Sequence, residues 1–174
     1  MLSKKMEAAL NAQINAEFFA SYQYLSMAAY FESQKLLGFA NWMHQQSQEE
    51  TTHGMKFYNF INSRRGRVLL EAIAAPKTEW DSPLVVFEAS LEHEQKVTGM
   101  INKLMNLAIK EGDHATASFL KWFVDEQVEE EENVDNVIQD LKRAGASVES
   151  LFILDRELGQ RSGEGEDEAE TDAT

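Results

Sequence analysis

Residues 39–60 have the sequence FANWMHQQSQEETTHGMKFYNF, in which apolar and polar residues recur at helical spacing. Alternating steps of three and four residues connect Phe39, Met43, Gln46, Glu50, His53, Phe57 and Phe60. Such spacing marks one face of a helix that packs against neighbouring helices at a shallow angle. We therefore predict a long helix here, with polar residues at several positions on its packed face.

Three further stretches repeat this spacing, one before residues 39–60 and two after them. The packed positions are Leu10, Ile14, Glu17, Ser21, Tyr24, Ala28 and Phe31 in the first stretch, Leu84, Phe87, Leu91, Glu94, Thr98, Ile101, Met105 and Ala108 in the third, and Leu120, Phe123, Gln127, Glu130, Val134, Val137 and Leu141 in the fourth. Strand-type runs are missing from the sequence, and Pro76 and Pro83 are its only prolines. The pattern predicts an all-α protein built as a four-helix bundle.

The connections between these helices predict the topology. Short turns near Gly38 and at residues 111–113 would each make two successive helices antiparallel, which gives two helical hairpins. Residues 64–82 are long for a loop and could cross the length of the bundle, so that helices two and three run parallel. Ser82 followed by Pro83 is a typical helix start.

The sequence after the fourth helix predicts one more short element and a tail. Gly145 is a plausible helix stop, and the amphipathic run that follows predicts a short fifth helix through Val148, Leu151, Phe152, Leu154 and Leu158. We assign residues 1–160 to a single domain. Residues 161–174 are rich in Glu and Asp and are predicted to form a disordered acidic tail.

The composition limits the possible functions. The chain has 174 residues, 30 acidic and 16 basic, with a net charge of -14, which argues against binding to nucleic acid or anionic membranes and suits cations as partners. Acidity that only keeps a protein in solution is the alternative explanation. Without cysteine, any metal must be bound by His, carboxylate or amide groups. No long apolar run is present, so we expect a cytoplasmic protein, or one in an organelle lumen if a targeting segment has been removed.

Charged and amide side chains occupy the middle of all four packed faces, where apolar residues are expected. They are Glu17, Glu50 with His53, Glu94, and Gln127 with Glu130. A buried charge is costly unless it is compensated. Glu17 and His53 lie about 18 residues from the first turn, as do Glu94 and Glu130 from the second, or about 27 Å along each helix. Each hairpin therefore brings its own polar residues level.

If the two hairpins align, four carboxylates, one imidazole and one amide meet in an apolar interior. Two divalent cations would balance the four negative charges, which gives a physical reason for a dinuclear site. Oxygen and nitrogen donors together suit Fe(II), Mn(II) or Zn(II) better than calcium or magnesium. The spacing of Glu50 and His53, and of Gln127 and Glu130, lets two side chains of one helix face the same metal. His44, His93 and His114 are not predicted to be ligands.

Three motifs make the match to a known family specific. They are QEETTH at Gln48–His53, SFLKWFVDEQVEEE at Ser118–Glu131 and RGRVLLEAI at Arg65–Ile73. On these motifs the chain resembles the bacterial-type non-haem ferritins of the ferritin-like di-iron carboxylate family, over nearly its whole length except the acidic tail. The resemblance implies an iron storage protein with ferroxidase activity, in which O2 or H2O2 oxidises Fe(II) and ferric oxide is stored in a shell of 24 subunits. Fifth helices would meet around the fourfold axes of that shell.

The resemblance also implies which residues bind iron. One iron would take Glu17, Glu50 and His53, the second would take Glu94, Glu130 and the shared Glu50 with Gln127 beside it, and a third, weaker site would take Glu49, Glu126 and Glu129. Gln127 stands where a symmetric centre has a charged ligand, so the second iron should be held loosely enough to move on to storage. Thr52 stands where a haem-binding relative would have Met, and we expect no haem.

One residue and two classes of protein remain open at this point. For Tyr24, the resemblance suggests a redox role together with Trp122, whereas a packed aromatic ring with a hydrogen-bonded hydroxyl explains it equally well.

A di-iron oxygenase or a rubrerythrin-like peroxidase without storage is the enzymatic alternative, although the lack of cysteine excludes a rubredoxin-type module. A metal-free helical interaction protein is the other, and the buried acids argue against it. A DNA-protecting mini-ferritin, whose iron site lies between subunits, is disfavoured.

Overall fold

The computed structural model describes residues 2–162, and five helices account for most of them. The helices are α1 (Lys4–Ser33), α2 (Leu37–Ser63), α3 (Pro83–Glu111), α4 (His114–Ala144) and α5 (Val148–Leu158). No strand occurs within that range. The all-α prediction is confirmed, with four long helices and a short fifth one that begins and ends where the sequence indicated.

The packing of these helices follows the predicted hairpins. α1 packs along α2 and α3 along α4, while α5 packs against α2 and α4. Gly112 ends α3 with a left-handed φ of 67°, and the Asp113 side chain caps α4 by accepting from the Thr116 N–H. Ser82 caps α3 in the same way, with Pro83 at the first helical position as predicted.

The connection between α2 and α3 crosses the bundle from end to end. Val68, near its start, packs into one apolar cluster, whereas Trp80, near its end, is buried in the other. The two clusters lie at opposite ends of the bundle, since the turn after α1 belongs to one and the turn after α3 belongs to the other. α2 and α3 therefore run parallel, as predicted.

The predicted short turn near Gly38 is confirmed. It lies at residues 34–36, with Lys35 at a φ of 62°, whereas Gly38 is already inside α2. Gly38 is required for a different reason, because a Cβ there would lie 1.5 Å from the backbone oxygen of Asp155 in α5. The Asp155 carboxylate accepts from the N–H groups of Gly38 (2.8 Å) and Phe39 (3.0 Å), and so supplies the cap that Leu36 cannot. These contacts fix α5 on α2 of the same chain.

The core consists of two apolar clusters with a polar layer between them. The cluster at the first turn includes Met27, Phe31, Phe39, Trp42, Met43, Phe87, Val134, Ile138 and Leu141. The cluster at the other end includes Met6, Leu10, Ile14, Phe57, Ile61, Val97, Ile101, Leu104, Leu120 and Phe123. Phe57 stacks on Phe123 at 4.2 Å between ring centroids, which joins the two hairpins. Every long helix contributes to both clusters.

The predicted packed face of α3 was partly wrong. Its buried residues include Val86, Ser90, Val97 and Leu104, whereas Leu84, Leu91, Thr98 and Met105 are only partly buried. The apolar stripe of a helix in a bundle is wider than a single seam, so several neighbouring positions compete for the core. Glu94, Phe87, Ile101 and Ala108 are buried as predicted. Within residues 2–162 no helix is long and apolar enough to cross a membrane.

The contact between Gly38 and Asp155 yields a first prediction. Gly38→Ala should separate α5 from α2 because the new methyl group overlaps the Asp155 backbone, and we expect a loss of about 2 kcal/mol or more in the free energy of unfolding. Thermal unfolding and limited proteolysis of α5 would measure it. Gly99→Ala is the matched control, since no atom lies within 4 Å of its Cβ position and Ala favours a helix. Equal stability of the two variants would show that the contact between Gly38 and Asp155 does not hold α5 on α2.

Candidate metal centre

Eight polar side chains form the layer between the apolar clusters. They are Gln13, Glu17, Gln46, Glu50, His53, Glu94, Gln127 and Glu130, and none is more than 4% exposed. Each of the four long helices contributes at least one acid. Four carboxyl groups thus share a layer from which water is almost fully excluded, a costly arrangement unless cations or protons compensate it.

The first group of donors joins α1 to α2. Glu17, Glu50 and His53 each offer one ligand atom, and these atoms all lie within 4.8 Å of one another. The Nδ1 atom of His53 lies 3.5 Å from Glu50 Oε2. Gln13 Nε2 donates to Glu17 Oε1 at 2.8 Å, whereas Glu17 Oε2 is buried without a hydrogen-bond partner. A buried carboxylate oxygen of this kind is available to a cation.

The second group joins α2 to α4 through the other edge of the same imidazole. His53, Glu126 and Glu130 again offer ligand atoms within 4.8 Å of one another, and His53 Nε2 lies 3.8 Å from Glu126 Oε1. Gln46 Nε2 donates to Glu130 Oε2 at 2.6 Å. The imidazole therefore lies between the two donor groups, with one ring nitrogen towards each.

Glu94 from α3 is held by two side chains. The Tyr24 hydroxyl donates to Glu94 Oε1, and Gln127 Nε2 donates to Glu94 Oε2 at 3.3 Å. The ring of Tyr24 contacts Trp42 and His93, with centroids 6.5 and 6.4 Å apart. Trp122 instead contacts His53, at 5.3 Å between centroids. Tyr24 and Trp122 thus approach the layer from different sides.

Burial controls the protonation of this layer. It raises the pKa of Glu17 to about 7 and that of Glu94 to about 7. The pKa of Glu50 and that of Glu130 lie well above the usual range, first because the groups are buried and then because the neighbouring carboxylates, Glu94 above all, are negative. Burial lowers the pKa of His53 to about 4. At neutral pH the imidazole is therefore a neutral donor, and the acids retain protons that a cation could replace.

The sequence of this chain matches a known protein family. The family model of the ferritin-like domain matches residues 7–144. The chain belongs to the ferritin family. It is 44% identical to the bacterial non-heme ferritin of Staphylococcus aureus (strain USA300) over 162 residues, or 93% of this chain and 98% of that protein, and 45% identical to the one from Staphylococcus epidermidis over the same shares.

Solved ferritin structures agree with this assignment. An open-pore ferritin from the hyperthermophilic archaeon Archaeoglobus fulgidus superposes with a TM-score of 0.92 at 49% identity, over 93% of this chain and 100% of that one. A closed form of the Archaeoglobus fulgidus ferritin, engineered by mutagenesis, gives 0.93 at 48% identity, over 94% of this chain and 99% of that one. The crossover connection and the fifth helix thus belong to the ferritin fold.

The third site implied for this ferritin has a mixed outcome. Glu126 lies in the second donor group, but Glu49 and Glu129 are in neither. Glu49 Oε2 accepts from Arg161 Nη2 at 2.6 Å, and Glu129 is exposed. A metal at this position remains a prediction.

Three side chains that the sequence analysis did not assign to the site also contact its acids. Gln13 donates to Glu17, and Gln46 donates to Glu130. Each Gln lies four residues before a buried acid of its own helix, Glu17 or Glu50, and this spacing was a signal that could have found them. Arg161 gave no such signal, since it lies 112 residues from Glu49 in sequence. His44 pairs with Glu32, His93 packs beside Phe19 and His114 is exposed, so none of them lies in a donor group.

The raised pKa values of the acids predict how the metal-free ferritin responds to pH. Acids with a raised folded-state pKa bind protons more tightly in the folded state, so their contribution to stability is lost as the pH rises through about 7. His53 opposes this trend only below its unfolded pKa of about 6.5. From pH 6.5 to 8.5 the free energy of unfolding should therefore fall by about 1 kcal/mol for each of Glu17 and Glu94.

Calorimetry of the metal-free protein would measure this slope. Glu94→Gln should make it shallower, because the amide does not titrate, and bound Zn(II) should remove it, because the metal replaces the protons of the folded state. Constant stability of the metal-free protein between pH 6.5 and 8.5 would show that the acids are already ionised.

Proposed function

We propose that this ferritin stores iron and that its buried polar layer oxidises Fe(II) before storage. The observation that carries the proposal is the convergence of four buried acids and a neutral imidazole between two apolar clusters. Nothing in the packing of the bundle requires acids at this depth, and apolar residues would be more stable there. A pair of divalent cations explains the arrangement, and the ferritin relatives favour iron.

We assign the ligands of the two irons as the resemblance implies. Glu17, Glu50 and His53 would bind the first iron, and their donor atoms already lie within 4.8 Å of one another. Glu94 and Glu130 would bind the second, with Glu50 shared between the two. Two Fe(II) ions bring four positive charges to four carboxylates, so the loaded layer is neutral, which offsets much of the cost of burying the acids.

The reaction that we propose is a two-electron oxidation. Each Fe(II) gives up one electron, and O2 takes both together with two protons to become H2O2; with H2O2 as the oxidant, the products are two water molecules. The metal charge then rises from +4 to +6 against four carboxylates. Water-derived hydroxide or oxide must supply the missing negative charge, and ferric ions bound in this way are held less by the protein and more by one another.

Gln127 and Tyr24 would act next to the second iron. Gln127 supplies only a neutral amide, which already donates to Glu94, and the second iron has no imidazole ligand to match His53 at the first. The second iron is therefore the one that we expect to leave for storage. The hydroxyl of Tyr24 holds Glu94 in place, and this contact supports a positioning role. A redox role together with Trp122 has less support, because the ring contacts of Tyr24 are to Trp42 and His93.

Storage requires a shell, and α5 offers a surface for assembly. Val148, Phe152 and Ile153 are 82%, 61% and 52% exposed although they are large and apolar. A face of this kind is usually covered by a partner. We propose a homo-oligomeric shell of 24 subunits in the cytoplasm, without haem, and net negative charge suits a cationic cargo. A di-iron oxygenase or peroxidase without storage is not favoured by the family assignment.

Removal of the central ligands tests the oxidation. Glu50→Ala and His53→Ala should each lower the initial rate of Fe(II) oxidation in air by about a hundredfold or more, since His53 belongs to both donor groups and Glu50 is assigned to both irons. Glu92→Ala and His44→Ala are matched controls at exposed positions and should retain the full rate.

A second measurement separates loss of function from loss of fold. Glu50→Gln removes a buried acid and should leave the metal-free protein at least as stable as the wild type while abolishing oxidation. Unchanged oxidation in Glu50→Ala and His53→Ala would rule out the proposed centre.

Iron retention separates storage from its rival. After repeated additions of Fe(II) in air, the protein should elute with iron far in excess of two per subunit and scatter light as a 24-subunit shell. A di-iron oxygenase would retain about two irons per subunit. Recovery of a monomer or a dodecamer would contradict the proposed assembly.

A further inference from the structure

The end of the described chain returns to the metal centre along α2. After α5 is fixed at Gly38, Asn41 Nδ2 donates to the backbone oxygen of Arg161 at 3.0 Å. The guanidinium of Arg161 then lies over the ring of Trp42, 4.5 Å from its centroid. These contacts follow one face of α2 and deliver the Arg161 side chain towards the polar layer.

Arg161 makes two further contacts, and each leads to a residue of the candidate centre. Its Nη1 atom donates to Gln46 Oε1 at 2.9 Å and its Nη2 atom donates to Glu49 Oε2 at 2.6 Å. Gln46 in turn donates to Glu130 Oε2 at 2.6 Å. Two successive hydrogen bonds therefore connect the guanidinium to an acid that we assign to the second iron.

The first contact fixes which way the Gln46 amide points. With its oxygen accepting from Arg161, the amide must present its NH2 group to Glu130. Without Arg161 the amide is free to turn, and its oxygen would then face the Glu130 carboxyl. The orientation of Glu130 thus depends on a residue that is far away in sequence.

The second contact places a positive charge on an acid of the expected third site. Glu49 is 11% exposed and Arg161 is 20% exposed, so their pairing is only partly screened by water. A charge-assisted hydrogen bond of this kind is stronger than a neutral one. A metal ion that takes Glu49 as a ligand must first displace the guanidinium or share the carboxylate with it.

We propose that Arg161 is a positioning residue of the iron centre: it orients Glu130 through Gln46, and it occupies Glu49 as a resident cation that competes with the third metal. The inference rests on the proposed function for the meaning of the two metal positions. It goes beyond that function because it adds Arg161, which follows α5 in the chain, to the residues that control metal binding. Metal binding at the second position is favoured by Arg161, and metal binding at the third is opposed by it.

The test compares Arg161→Gln with Arg156→Gln, which makes the same change of charge at an exposed position of α5. The probe is Co(II) alone, titrated anaerobically into the intact metal-free protein, with site occupancies read from the anomalous scattering of cobalt in crystals. We expect Arg161→Gln to bind cobalt at the third position about tenfold more tightly, and at the second position a few-fold more weakly, than the wild type. Arg156→Gln should match the wild type at both positions.

Opposite changes at the two positions are the decisive result, because a general loosening of the fold would weaken both. Arg161→Lys adds a rescue arm: its ammonium keeps the charge beside Glu49 and should keep third-site binding weak, but it lacks the planar fork that contacts Gln46 and Glu49 together. Affinities that are unchanged in Arg161→Gln, or that fall at both positions, would overturn the inference. Failure of the wild type to oxidise Fe(II) would instead count against the proposed function, since cobalt binding does not depend on oxidation.

Discussion

The structure depends on the burial of four acids at one level of a helical bundle. Each carboxyl group there lacks water and lies near others of the same charge, so protons or metal ions must be present whenever the protein is folded. The hydrogen bonds around the layer serve this requirement. Gln13 donates to one oxygen of Glu17 and Gln46 to one oxygen of Glu130, whereas Tyr24 and Gln127 donate to the two oxygens of Glu94.

The rest of the bundle keeps that layer rigid. Apolar clusters pack above and below it, and the stacked rings of Phe57 and Phe123 connect the hairpins just beyond the acids. Close packing of this kind resists collapse of the layer when its cations leave. The parallel arrangement of α2 and α3 brings acids from both hairpins to the same depth. The long connection at residues 64–82 is what allows that arrangement.

The sequence predicted the parts of this architecture that depend on local periodicity. Counting residues back to each turn was enough to place Glu17 level with His53, and Glu94 level with Glu130. The alignment of the two hairpins could not be counted in that way, because their turns lie at opposite ends of the bundle. The packed face of α3 was only half correct, since Val97 and Leu104 compete with Thr98 and Met105 for the same space.

Contacts between distant segments were beyond sequence reasoning for a different reason. Gly38 looked like a turn residue because glycine is common in turns, whereas its real constraint is the backbone of Asp155. Arg161 was counted with an acidic tail, since nothing in its neighbours indicates a contact with Glu49. Residues 163–174 of that tail lie outside the described residues. Such pairings depend on how α5 docks, and no periodic pattern encodes the docking of a short helix.

The capping of α2 by Asp155 also disfavours the exchange of α5 between subunits. A short helix at the end of a bundle is a candidate for exchange between neighbouring subunits. Here the helix carries a carboxylate that closes the first turn of its own α2, and there is room for the approach only because residue 38 has no side chain. A swapped arrangement would have to rebuild both features across a subunit boundary. Each subunit therefore reaches its neighbours with the fifth helix already in place, and less disorder has to be lost when they associate.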